Sequence, residues 1–133
     1  SLSMEDKKSS TKKKKKTGSY ARKKGNSYEL KIIKELNTLY KTDTLVSSRS
    51  ESKRTDDAGV DIVDSKNLMP FYVQCKSTQN IPSVELIKEC KLKDKPLAIF
   101  WNKQEKRDVN IVSVGEYVIV NKELFYQLIK ETN

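Results

Sequence analysis

Two short stretches carry most of the chemistry in this chain. They are Gly59-Val60-Asp61-Ile62-Val63 and, after a polar connection, Val73-Gln74-Cys75-Lys76-Ser77-Thr78. Both have strand-like composition, and in the second, alternation puts Phe71, Val73 and Cys75 on one face and Tyr72, Gln74 and Lys76 on the other. A turn over residues 64–70 brings Asp61 beside Gln74. An ionised carboxylate inside an apolar strand is costly unless a cation compensates it. Either Lys76 is that cation, in a structural ion pair, or the site holds a metal ion through hard oxygen donors. An acid, an amide oxygen and a lysine at the ends of adjacent strands are the parts of a metal-assisted phosphodiester hydrolysis.

The elements that must position these groups can be read from hydrophobic period. Ile32, Ile33, Leu36, Leu39 and Tyr40 recur at helical spacing, so an amphipathic helix is expected over 27–40, with Asn26 or Ser27 as cap. Glu29 lies three and four residues before Ile32 and Ile33, on or beside the buried face. It is either a partner of the helix dipole and of Asn26 in a capping box, or a carboxylate aimed at a metal site on the sheet. Strands are expected at 44–48, 60–64, 71–77 and 97–101, with a polar loop over 49–57 and a helix over 83–93. Residues 109–114 and 117–120 read as a hairpin turning at Gly115-Glu116, and 122–130 as a closing helix. The order gives an α/β domain with a mixed central β-sheet flanked by helices.

Charge is sharply segregated along the 133 residues. Residues 1–24 hold ten Lys/Arg against Glu5 and Asp6, a net of +8, whereas 25–133 hold seventeen against sixteen, a net of +1. The chain therefore divides into a basic tail, 1–24, and a domain, 25–133. Ser1-Leu2-Ser3 ahead of Met4 reads as an expression scar. The tail, with Lys12, Lys13, Lys14, Lys15 and Lys16 in succession and then Arg22, Lys23 and Lys24, has too few apolar residues to offset the entropy of ordering. Such arms contact polyanions by releasing counterions. With no histidine and only Cys75 and Cys90, histidine-based triads and zinc cages are excluded, and the cysteines are expected to be reduced. No apolar run approaches the roughly 18 residues that span a bilayer. The expectation is an intracellular protein of cytoplasm or nucleoid, with a nuclear or viral setting as the alternative, and with no membrane partner.

At Lys24-Gly25-Asn26-Ser27-Tyr28-Glu29, Gly59-Val60-Asp61-Ile62-Val63 and Val73-Gln74-Cys75-Lys76-Ser77-Thr78 the chain resembles the PD-(D/E)XK nuclease superfamily, in particular the archaeal-type Holliday junction resolvases. The pattern is a helix glutamate, a Gly/Pro-X-Asp strand and a Glu-X-Lys strand continued by Ser-Thr; Ser47-Ser48-Arg49-Ser50 is similar to the family's serine-containing loop. The resemblance covers about residues 22–79. It implies a restriction-endonuclease-like core and a homodimeric, Mg²⁺- or Mn²⁺-dependent endonuclease cutting four-way DNA junctions. Glu29, Asp61, Gln74 and Lys76 would be its catalytic residues. Glu29, Asp61, the Gln74 side-chain oxygen and the Cys75 backbone carbonyl would hold the metal. Ser48, Arg49, Lys53 and Arg54, with the tail lysines and arginines, would contact DNA. Two positions depart from the pattern: Gln74 stands where the family has an acid, and Leu30 where many resolvases carry arginine. A repair or restriction nuclease of the Mrr type, on duplex or flap DNA, is the enzyme alternative. A nucleic-acid-binding module on a decayed nuclease fold is the other.

Deleting residues 1–24 should reduce the salt dependence of DNA binding more than it alters the choice of DNA structure, because charge contacts to the phosphate backbone carry no sequence information. Competition binding across a salt series measures both; a deletion that erased junction preference at constant duplex affinity would contradict the expectation.

Overall fold

The structure is a computed structural model and describes residues 26–132. The tail residues singled out above, Lys12 to Lys16 and Arg22 to Lys24, lie outside that range. Helix α1 covers 26–39 and buries Tyr28, Ile32, Ile33 and Leu36 along one stripe, each such side chain worth about 1.5–3 kcal/mol. Leu39, expected in that stripe, is instead exposed, since the helix stops at residue 40 and Lys41 turns the chain with φ 52°.

Two backbone-directed bonds dock α1 on the next strand. Asn37 donates from Nδ2 to the Leu45 carbonyl and accepts the Leu45 N–H at Oδ1, each at 3.1 Å. Strand β1 (Leu45–Ser47) then pairs antiparallel with β2 (Ile62–Asp64), Leu45 opposite Asp64 and Ser47 opposite Ile62. Between them, the segment expected as an irregular loop is mostly helical, in two short pieces: α2 (Ser48–Glu51) and α3 (Lys53–Asp57). Ser52 separates them and caps the second, its Oγ accepting from the Thr55 N–H at 3.2 Å.

The larger sheet has three strands in the order β3-β4-β5: β3 (Tyr72–Thr78), β4 (Leu97–Arg107) and β5 (Asn110–Ile119). It is mixed, β3 running parallel to β4 and β4 antiparallel to β5. The parallel pair is joined by a crossover through α4 (Glu85–Glu89), shorter than the expected 83–93 because Cys90 leaves helical geometry at ψ 125°. Helix α5 (Lys122–Glu131) follows β5, capped by Asn121 Oδ1 on the Leu124 N–H at 2.8 Å. α1 and α5 share one apolar cluster with Val73 and Ala98 of the sheet, while Leu86 and Ile87 of α4 pack with Val60, Leu97 and Ile99 on the opposite side. The α/β architecture with a mixed sheet between helices is therefore present.

The hairpin is where the sequence reading fails. β4 and β5 turn at Asp108-Val109, with Asp108 taking φ 55°, and Gly115 lies inside β5. Lys103 faces Gly115 and Gln104 faces Ser113, so Val114 is the extra residue of a β-bulge. Gly115 serves a close approach there: a Cβ would come within 2.9 Å of the Tyr117 hydroxyl. Tyr117 in turn lies 5.6 Å, centroid to centroid, from Trp101, which is buried and donates Nε1–H to Thr78 Oγ1 at 2.9 Å.

Gly59 has the described range's one glycine with positive φ, 87°, directly before the strand that carries Asp61. A Cβ there meets nothing closer than Gln74 Nε2 at 3.6 Å, so the constraint is backbone conformation and not space. Gly59→Ala should cost about 1–2 kcal/mol in denaturant unfolding; an unchanged midpoint would show that the left-handed turn is not required.

Candidate active site around Asp61

Asp61 lies where the two ladders meet. Its N–H donates to the Val73 carbonyl at 2.8 Å, and its own carbonyl accepts the Ser48 N–H at 2.9 Å. Its Oδ2 accepts the Cys75 N–H at 2.7 Å, a donor that an uninterrupted ladder would have paired with a carbonyl. The backbone of one residue is thus held from both sides, and its carboxylate is fixed against β3. Because Val73 and Cys75 turn their peptide groups toward this edge, the Cys75 carbonyl faces the same gap.

Burial lifts the Asp61 carboxyl to about 6. The Cys75 N–H bond opposes the rise, Glu29 adds to it, and Arg49 and Lys76 oppose it. Glu29, Arg49 and Lys76 therefore each act electrostatically on Asp61. Glu29 is 5% exposed on the inner stripe of α1, and its Oε1 accepts from Ser47 Oγ at 2.7 Å and from Arg49 Nη2 at 2.8 Å. The capping-box role with Asn26 does not occur: Glu29 faces the sheet, and Asn26 Oδ1 is buried without a partner. The direct Asp61–Lys76 pair does not form either, and Lys76 makes no hydrogen bond or ion pair among the described residues. Lys76 borders an open groove of about 620 Å³ shared with Thr78, Asn80 and Leu86.

Gln74 is on the face of β3 opposite Cys75, as alternation requires, with Nε2 toward Gly59. Its Oε1 is buried and accepts no hydrogen bond. The Cys75 thiol is free, and burial, reinforced by Asp61 and Glu29, pushes its pKa far above the usual thiol range, so it is an inert neighbour.

The loop residues divide. Ser48 is fully buried and donates Oγ–H to the Val60 carbonyl at 2.6 Å, so it anchors the loop and has no surface for DNA. Ser47 makes the contact to Glu29 that sequence reasoning missed; alternation from buried Leu45 was the available signal, since it sends Ser47 to the α1 side. Lys53, 89% exposed, pairs loosely with Asp57 at 3.6 Å, and Arg54 is exposed.

Among the described residues no cluster of three or more His, Cys, Asp or Glu side chains is placed to hold a metal ion. Two carboxylates, Asp61 and Glu29, are near enough to influence each other, and further oxygen donors must be neutral. The Gln74 Oε1, enclosed and unpartnered, is such a donor, as is the Cys75 carbonyl; Asp61 Oδ1 accepts no hydrogen bond from the described residues. This donor set fits a hard divalent cation that keeps several waters.

Because the Asp61 pKa is higher in the folded chain than the ordinary 3.8, the fold binds a proton more readily than the unfolded chain between those two values. The Asp61 contribution should therefore diminish as pH rises from about 4 to about 6, and then level off. In metal-free buffer Asp61→Asn should gain on the order of 1–2 kcal/mol relative to wild type above pH 6, after allowing for partial exposure, and little near pH 3.5. Paired denaturant titrations across pH measure the difference; a gain that is constant with pH would assign it to something other than the charge.

Comparison of the chain with family models, curated proteins and solved structures gives no significant match.

Proposed function

We propose that this protein is a Mg²⁺-dependent, structure-selective DNA endonuclease on a restriction-endonuclease-like core, acting on four-way junctions. The observation that carries the proposal is the part-buried Asp61 carboxylate, fixed by the Cys75 N–H and near buried Glu29: among the described residues no cation pairs with Asp61, and Arg49 is the one cation that meets Glu29. Such a pair of acids is costly in isolation and becomes favourable around a divalent cation.

Asp61, Gln74 Oε1 and the Cys75 carbonyl would hold the cation, with Glu29 adding a direct or water-mediated contact. Bound there, Mg²⁺ supplies Lewis acidity toward a phosphoryl oxygen and a more acidic water. Lys76, unpaired among the described residues and bordering its groove, would orient the attacking water or donate to the negative charge that develops on the phosphate. Lys53 and Arg54 are exposed for backbone phosphates, and the basic tail adds contacts without sequence preference. Symmetric cleavage of a junction needs two such sites, hence a homodimer. The outer face of α5, which exposes Phe125, Tyr126 and Ile129, is apolar surface of the kind that a second copy covers. That no three acidic, histidine or cysteine side chains are grouped to hold a metal among the described residues favours one other reading, a DNA-binding module whose catalytic site has lost its strength.

A synthetic four-way junction, a flap and a linear duplex, each with Mg²⁺ or with EDTA, separate these readings. Asp61→Asn and Lys76→Ala should each reduce metal-dependent junction cleavage by at least about a hundredfold. Cleavage indifferent to both substitutions would remove the catalytic assignment; equal cutting of duplex and junction would leave a nuclease that is not a resolvase. Gln74→Glu should tighten Mn²⁺ binding by about tenfold and destabilise the metal-free fold, since it adds a charge to the site; weaker Mn²⁺ binding would place Gln74 outside it.

A further inference from the structure

Arg49 stands out because it does at Glu29 what a metal ion would do. Its guanidinium lies 2.8 Å from Oε1 of a carboxylate whose side chain is 7% exposed, while Arg49 itself is 43% exposed. Ser47 donates to the same oxygen, and Oε2 accepts no hydrogen bond from the described residues. Glu29 therefore has two donors on one oxygen, of which only Arg49 carries charge and only Arg49 reaches in from the surface. The arginine sits on α2, a four-residue helix with no side-chain cap at its start. A divalent cation drawn to Glu29 and Asp61 would face a full positive charge across the width of one carboxylate. Guanidinium and cation would compete there for the one negative charge of Glu29, whereas Ser47 can keep Glu29 oriented without Arg49.

We infer that Arg49 is the resident counter-cation of Glu29 and is exchanged for a divalent cation when the site is loaded, which releases its guanidinium to a phosphate of the nucleic acid. The inference rests on the metal-site reading proposed above. Exchange makes cation and nucleic-acid binding cooperative: the guanidinium becomes available for a phosphate only once the cation is in place, and its fork geometry suits a phosphate.

The test uses the full chain and two readouts apart from cleavage. Mn²⁺ affinity is measured by electron paramagnetic resonance of the free ion, and affinity for a four-way junction by fluorescence anisotropy with Ca²⁺ or with EDTA. Arg49→Gln should tighten Mn²⁺ by about fivefold and weaken Ca²⁺-supported junction binding by about tenfold, with little change in EDTA. Arg49→Lys, which keeps the charge, should leave Mn²⁺ affinity near wild type, and in a Glu29→Gln background Arg49→Gln should no longer tighten Mn²⁺. Unchanged or weaker Mn²⁺ binding in Arg49→Gln would overturn the exchange while leaving the metal site in place. Equal losses of junction affinity in Ca²⁺ and EDTA would overturn it too, making Arg49 an ordinary surface contact. If wild type shows no Mn²⁺ binding that Asp61→Asn abolishes, the metal-site reading fails and takes the exchange with it.

Discussion

Asp61 joins three pieces of backbone: its N–H to Val73, its carbonyl to Ser48 and its carboxylate to the Cys75 N–H. The two-stranded ladder β1-β2 and the three-stranded sheet meet at this one residue. A side-chain oxygen here takes the place of a main-chain acceptor, which lets the strands separate without orphaning the Cys75 N–H. The carboxylate is thereby fixed against the edge of β3 at Cys75, next along the strand from Gln74, whose Oε1 is enclosed and unpartnered. Fold and site are the same construction at this point, so the residue that closes the ladder is also the residue whose charge is most expensive.

The surroundings answer that expense only in part. Arg49 compensates Glu29, and Lys76 acts on Asp61 from a distance without pairing to it. Elsewhere the molecule pairs its buried acids more fully: Asp64, its side chain 4% exposed, accepts the Leu68 and Met69 N–H groups and lies 3.6 Å from Lys95. The contrast between two aspartates at the two ends of β2 is informative. One is satisfied by its own loop and locks the turn into β3; the other keeps an oxygen unpartnered beside a second acid and an orphaned amide.

Much of this was legible in the sequence because it depends on local period. Alternation along Tyr72–Thr78 separated Gln74 and Lys76 from Cys75, and helical spacing placed Glu29 on the buried stripe of α1. What was not legible depends on pairing between distant residues. Gly115 reads as a turn because glycine usually marks one, yet it lies in a bulge beneath Tyr117, while Asp108 takes the left-handed position. The choice between Ser47 and Ser48 turned on strand register: the first meets Glu29, the second is buried under Val60. The run 49–57 is polar enough to read as loop, but a single serine cap is sufficient to make its second half helical.

The central claim is that the gap at Asp61 is a divalent-cation site, and paramagnetic broadening tests it at the level of single residues. With substoichiometric Mn²⁺ added to isotopically labelled protein, the Cys75 amide and the Gln74 side-chain amide should lose intensity first, ahead of residues near the exposed acids Glu51, Asp57 and Glu105. Broadening that begins at those surface carboxylates and leaves Cys75 and Gln74 sharp would contradict the claim.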